Sequence, residues 1–94
     1  MEKLLSRNYI KNGDSIYVIH YKQNRPEPKH THEFIEIVYI IEGAGRHKID
    51  EGIYDVRKGS LLFIRPGQVH SFVPQPSLDY VNIVIEPTFF LVAP

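Results

Sequence analysis

The sequence predicts an all-β domain, a small antiparallel barrel of the jelly-roll kind, on three observations. β-Branched and aromatic residues dominate the 94 positions. Turn signals built from Gly, Pro, Asn and Asp recur about every eight to twelve residues. No segment carries a helical period of apolar residues, and the longest apolar run, residues 37–41, has the length of a strand.

Taken in order, the Asn12-Gly13-Asp14 turn opens a strand at residues 15–21. Residues 23–29 hold Pro26 and Pro28 and read as extended loop, because proline removes a donor and keeps its predecessor out of helix. The longest strand is expected at residues 34–42, ended by Gly43-Ala44-Gly45. Residues 46–50 and 53–57 flank Asp50-Glu51-Gly52, a hairpin signal in which glycine is available for positive φ. Lys58-Gly59 turns the chain into a strand at 61–64, and Pro66-Gly67 turns it again into one at 70–73. Pro74 and Pro76 mark a loop before the strand at 80–85. That makes roughly eight short strands. Phe89-Phe90-Leu91-Val92 is an apolar tail that reads as the start of a further element.

Length and composition narrow the function classes. Ninety-four residues make one domain, divided here into an N-terminal arm with the first strands (1–24), a motif-bearing core (25–86) and a tail (87–94). A core this small favours a dimer or a larger parent protein. Eleven basic and eleven acidic residues cancel, so the basic stripe of a nucleic-acid-binding face is missing. There is no cysteine, hence no disulfide framework, thiolate metal site or thiol nucleophile. Residues 1–7 hold no apolar run of signal-peptide length, and no run could span a bilayer. The expectation is a soluble, cytoplasmic domain without membrane contact.

The chemistry concentrates in two clusters: His30-Thr31-His32 with Glu36, and Arg65-Pro66-Gly67-Gln68-Val69-His70. Three imidazoles and a carboxylate suit a divalent transition ion, and sequence does not choose among Mn, Fe, Ni and Zn. Alternate strand residues share a face, so His30 and His32 point the same way, roughly 6.6 Å apart. Glu36 would lie about 13 Å further along a straight strand, too far for a shared ion. The chain must therefore bend after His32 and bring Glu36 back from the neighbouring strand. The Pro-Gly corner would aim His70 into the same place. The bland reading is that these four residues are polar groups at a barrel mouth, bonded to one another or to a ligand.

Other candidates rank lower. His47, between Arg46 and Lys48, is expected at the surface. His20, between Ile19 and Tyr21, either faces the interior or is a satisfied structural histidine. Tyr17, Tyr39, Tyr54 and Tyr80 suit strand positions where the ring packs and the hydroxyl reaches water, with Tyr39 the candidate for lining a ligand pocket. Gly43-Ala44-Gly45 lacks the strand-to-helix setting of a dinucleotide site, and Ser60, Ser71 and Ser77 form no serine-hydrolase elbow.

These spacings resemble the two motifs of the cupin superfamily. His30, His32, Glu36 and Gly43 match H-x-H-x-x-x-E-x6-G, and Gly59, Gly67 and His70 match G-x5-P-x-G-x-x-H. Arg65 stands where that second motif has proline, Asn24 where the first opens on glycine, and Pro74 where an asparagine follows. Within the cupins, residues 32–39, the hairpin at 50–52 and residues 62–72 resemble the sensor domain of AraC-type transcription regulators. The likeness covers residues 16–90. It implies a double-stranded β-helix that binds a small-molecule effector, often a sugar. It also implies an N-terminal arm, a dimerising helical pair after the barrel, and DNA contact only through a separate helix-turn-helix domain absent from this chain. His30, His32, Glu36, His70 and Tyr39 are then the ligand-binding candidates, and the first four the metal candidates. The rival reading is a stand-alone metal-dependent cupin enzyme of dioxygenase or isomerase type. A third is a ligand-free oligomerisation barrel.

Overall fold

The computed structural model of the protein describes residues 2–4 and 16–87. The predicted turn at Asn12-Gly13-Asp14, most of the N-terminal arm and the tail from Phe89 to Val92 lie outside the described residues. Among the described residues there are seven strands: β1 (Glu2–Leu4), β2 (Ile16–Gln23), β3 (His30–His32), β4 (Ile35–Ile49), β5 (Gly52–Arg57), β6 (Leu61–Ile64) and β7 (His70–Ile85). There is no helix among the described residues, as the sequence predicts.

Two long strands, β4 and β7, run antiparallel along their whole lengths and form the spine. The first half of β4 and the second half of β7 carry β6 and β2 on their outer edges, giving the order β2-β7-β4-β6. The other halves carry β5 and β3, giving β3-β7-β4-β5, with β1 parallel to β3 beyond it. The spine folds over on itself. Phe72 and Tyr80 would be about 26 Å apart on a straight strand, yet their ring centroids are 5.2 Å apart. The two sheets therefore face each other as a double-stranded β-helix.

Where the strands bend is written in small residues, although not as the sequence suggests. Gly43-Ala44-Gly45 does not end a strand; β4 continues through it with register shifts between Ile40 and Glu42 and between Gly43 and Gly45. Gly43 has φ +94°, and a Cβ there would lie 2.1 Å from the Ser77 carbonyl oxygen of β7. These glycines are bulge residues over which a second backbone passes closely. Pro74 and Pro76 likewise lie within β7 rather than in a loop between two strands. Pro74 pairs with Gly45 at the bend, where the ladder is already broken and no donor is missed.

The bulge has a second effect. Before it, the even residues Glu36, Val38 and Ile40 face inward; after it, the odd residues Gly45 and His47 are the buried ones. One extra residue reverses which face each side chain takes. Val38, Ile40 and Val56 pack with Ile64, Phe72, Leu78 and Tyr80 as the core. Each such burial stabilises by about 1.5–3 kcal/mol. Outside, Val18, Tyr39, Leu61 and Phe63 remain exposed on the β2-β7-β4-β6 sheet.

The turns follow their chemistry. Arg57-Lys58-Gly59-Ser60 and Arg65-Pro66-Gly67-Gln68 each close with a hydrogen bond from the fourth amide to the first carbonyl. Each has a positive-φ glycine in third place, the requirement of a type II turn. In the β4–β5 hairpin the positive φ falls on Asp50 (+48°) rather than on Gly52. Aspartate tolerates this region, and its carboxylate is used at once. It accepts hydrogen bonds from the Val69 amide (3.1 Å) and from Gln68 Nε2 (2.9 Å), fixing the approach to His70. Those two bonds hold the Asp50 carboxyl below its usual range.

Candidate ligand and metal site

The predicted bend after His32 is present. β3 ends at His32, Glu33 and Phe34 turn the chain, and β4 begins at Ile35. His32 is fully buried, stacked on Phe34 at 4.2 Å, and its Nδ1 donates to the Phe34 carbonyl at 2.7 Å. A carbonyl can only accept, so the neutral ring carries its proton on Nδ1 and keeps a lone pair on Nε2. That Nε2 lies 3.9 Å from Glu36 Oε1. Asn82, on β7, donates from Nδ2 to Glu36 Oε2 at 2.9 Å and fixes the carboxyl.

His70 enters from the Pro-Gly corner. The Gly67 amide donates to the His32 carbonyl at 3.0 Å, which ties the two sequence clusters together through the backbone. His70 Nε2 lies 3.4 Å from Glu36 Oε1, and its Nδ1 is 3.0 Å from His47 Nε2. His32 Nε2, Glu36 Oε1 and His70 Nε2 are buried without a hydrogen-bond partner. All three lie within 4.8 Å of one another.

Burial sets the electrostatics. Desolvation pushes Glu36 up to about 8, assisted by the charge of Glu27. It pulls His32 and His47 down to about 4, and His70 lower still with the help of His30, His47 and His32. At neutral pH the site holds neutral imidazoles and a protonated carboxyl, a state that a cation or a hydrogen-bonding ligand would change.

A cavity of about 230 Å³ opens beside this cluster. Tyr21, Glu27, His30, Glu36, Tyr80 and Asn82 are among its lining residues, and among the described residues no Lys or Arg lines it. Glu27 reaches it from the proline-flanked loop between β2 and β3. Its amide donates to the Phe72 carbonyl, and its Oε1 accepts from the Phe72 amide at 2.8 Å. Desolvation raises the Glu27 carboxyl above its usual range.

The predicted set is thus partly assembled. His32, Glu36 and His70 converge. His30 pairs with His70 across β3 and β7 and lines the cavity, its ring 4.3 Å from that of His70. Its Nδ1 is engaged by the Pro28 carbonyl at 3.2 Å, and it stands outside the three-atom cluster. Tyr39 does not line the pocket: it is 47% exposed on the outer face. Glu36 and Tyr39 are three residues apart on one strand, an odd spacing that sends them to opposite faces. Tyr21 and Tyr80 supply the aromatic walls instead. His47 is not at the surface but 3% exposed against His70 and Phe72, because the bulge reverses its face. His20 faces outward rather than into the barrel and pairs with Asp79. Asn82 and Glu27 carry weaker signals: a polar residue at an inward position of an apolar strand, and an acid held between two prolines.

Comparison with known proteins agrees with the fold. The family model for the AraC-like ligand binding domain matches residues 12–93. The chain is 30% identical over 89 residues to the HTH-type transcriptional activator RhaS of Mannheimia succiniciproducens, covering 92% of this chain and 32% of that protein. It is 37% identical over 59 residues to the HTH-type transcriptional activator RhaR of Salmonella paratyphi B, covering 63% of this chain and 21% of the other. The chain thus spans a third or less of the length of these relatives. Among solved structures, an RmlC-like cupin from Shewanella frigidimarina superposes with a TM-score of 0.72 at 16% identity, over 83% of this chain and 72% of its own. That likeness carries the fold alone. With a family match along nearly its whole length and the cupin barrel beneath it, this chain belongs to the AraC-like ligand binding domain family.

Proposed function

We propose that this barrel is the effector-sensing part of an AraC-type bacterial transcription regulator, acting in the cytoplasm, and that its effector is a small neutral polyhydroxylated molecule such as a monosaccharide. The observation that carries this reading is the cavity beside Glu36. Its polar groups are carboxyls, amides, imidazoles and phenol hydroxyls, its walls include aromatic rings, and among the described residues no cationic side chain lines it to receive a phosphate or carboxylate. Hydroxyl groups match the unpartnered atoms, and the faces of Tyr21 and Tyr80 suit the apolar faces of a sugar ring. DNA contact belongs to a part of such a regulator beyond these residues. Self-association is proposed through the exposed outer face of Val18, Tyr39, Leu61 and Phe63. The stand-alone enzyme reading has less support, since the relatives named above are transcriptional activators.

Calorimetric titration with neutral pentoses, hexoses and deoxyhexoses, beside sugar phosphates and sugar acids, tests the reading. Binding confined to neutral members, and lost in Asn82→Leu, is expected. Binding confined to the anionic members refutes it.

A second occupant is favoured by one specific observation, the three unpartnered ligand atoms of His32, Glu36 and His70. The donor set fits a divalent transition ion: two imidazole nitrogens with lone pairs and a carboxylate. Such an ion would be held by these three residues, with Asn82 orienting Glu36 and the Phe34 carbonyl orienting His32. Bound there, it would supply a Lewis-acidic centre against which effector hydroxyls could be oriented.

A further inference from the structure

We propose that His47 is a positioning residue for His70: its Nε2 accepts the Nδ1–H of His70, holding His70 in the tautomer whose Nε2 lone pair faces Glu36 and His32. The inference rests on reading those three residues as a ligand-holding set and deepens it.

His47 lies on the second half of β4, opposite Phe72 of β7 and Tyr54 of β5. Its ring is 3% exposed and stacks on Phe72 at 4.7 Å, so it has little freedom to swing. From there its Nε2 reaches His70 Nδ1 at 3.0 Å, with the two rings steeply inclined at 79°. Between two neutral imidazoles only one such nitrogen can carry the proton, and the placement of that proton decides what the far nitrogen of His70 offers.

The rest of the site indicates which. His32 is already fixed with its lone pair inward, because its outer nitrogen faces a carbonyl. If His70 carried its proton on Nε2, the proton would point toward Glu36 Oε1, 3.4 Å away, and the cluster could close on itself as an internal hydrogen bond. In the structure His70 Nε2 and Glu36 Oε1 are both buried without a hydrogen-bond partner. An acceptor at His47 Nε2 keeps the His70 proton on the outer side and the site open. His32 and His70 are thus set in the same sense by different devices, one by a backbone carbonyl and one by a second ring. A hydrogen bond on the far nitrogen is what orients a liganding imidazole and raises its basicity.

The test is nitrogen-15 NMR of the imidazoles in the metal-free 94-residue chain at a pH where the buried rings are neutral, followed by Zn2+ titration. Expected in the wild type is His70 protonated on Nδ1. His47→Phe, which keeps the packing on Phe72 but has no acceptor, should move the His70 proton to Nε2 and weaken Zn2+ binding by about 10- to 100-fold. His47→Gln, whose side-chain carbonyl can occupy the Nε2 position, should restore the wild-type tautomer and most of the affinity. A role in packing alone predicts the reverse ranking, with Phe tolerated and Gln harmful. His70 protonated on Nε2 in the wild type, or an unchanged tautomer in His47→Phe, overturns the proposal. A wild type with the expected tautomer but no Zn2+ affinity removes the metal reading and leaves the role of His47 standing.

Discussion

Varying pH without metal probes the buried cluster most directly, because its groups are displaced in opposite directions. In the unfolded chain the histidines titrate near 6.5 and the glutamates near 4.5. In the fold, burial lowers His32 and His47 to about 4 and His70 further, and raises Glu36 to about 8. Between pH 6.5 and 4.5 the unfolded chain therefore binds three protons that the folded rings refuse, while the folded chain holds one on Glu36 that the unfolded chain has lost. The net excess is two protons in the unfolded state, so stability falls on acidification by up to about 2.7 kcal/mol per pH unit. The raised Glu27 retains a further proton in the fold and makes this limb shallower. Above pH 6.5 the histidines are neutral in both states, and the difference comes from the raised carboxyls, Glu36 foremost. Stability then falls on alkalinisation by about 1.4 kcal/mol per unit up to pH 8. The curve should peak near pH 6.5. Urea unfolding followed by far-UV circular dichroism from pH 4.5 to 8.5, with chelator present, measures it. Glu36→Gln should remove the alkaline limb and steepen the acid one. A flat profile from 6.5 to 4.5, or stability that rises from 6.5 to 8, refutes the assignment of neutral imidazoles around a protonated carboxyl.

Gly43→Ala should destabilise by about 2–4 kcal/mol, combining positive φ with a clash against the Ser77 carbonyl, read as a lower urea midpoint. Gly59→Ala, with similar φ but no atom within 4 Å, should cost only about 1–2 kcal/mol, and equal shifts would contradict the close approach of β7. Zn2+ at a hundred times its dissociation constant should stabilise the wild type by about 2.7 kcal/mol in thermal unfolding, and His70→Ala should abolish that gain; an equal gain in both would mark the ion as adventitious. Phe63→Asp, placing a charge on the exposed outer face, should turn a dimer into a monomer in sedimentation, with unchanged circular dichroism.

Much of this architecture is legible in the sequence because its signals are local. The two Gly turns at 59 and 67 and the Asp50 hairpin each follow from a few adjacent residues, the bend after His32 follows from the distance Glu36 must cover to reach a shared site, and each is found. The residues misplaced are those whose orientation depends on counting through an irregularity. His47 reads as a surface residue from its charged neighbours Arg46 and Lys48, and a count from the inward Glu36, Val38 and Ile40 also puts it outside, yet the bulge at residues 40–45 shifts that count by one. Gly43 and the Pro74–Pro76 stretch read as strand ends because glycine and proline usually punctuate. Here they permit two long strands to bend together, a role that only the partner backbone reveals. Tyr39 could have been excluded by parity with Glu36 alone. β1 carries no local signal, since three residues pairing in parallel with β3 are specified by contact rather than pattern.

The long strands also bear on how the proposed site would report on occupancy. Glu36 and His47 come from opposite halves of β4, and Asn82 and His70 from opposite halves of β7, so each strand contributes to both facing sheets. Asn82 holds Glu36 within one sheet, and His47 contacts His70 within the other. Between Glu36 and His70 there is no hydrogen bond, only two unpartnered atoms 3.4 Å apart. A ligand that satisfies both atoms joins the sheets at a point where the protein itself does not. The Glu27 loop is bonded to Phe72 by backbone and side chain and borders the same cavity, so it feels the same closure. On the proposed reading, occupancy would act on the relation between the two sheets and on the loop leading from β2 to β3, away from the aliphatic core of Val38, Ile40 and Leu78. In a sensor, differential contact of this kind is what a ligand needs to shift one conformation relative to another.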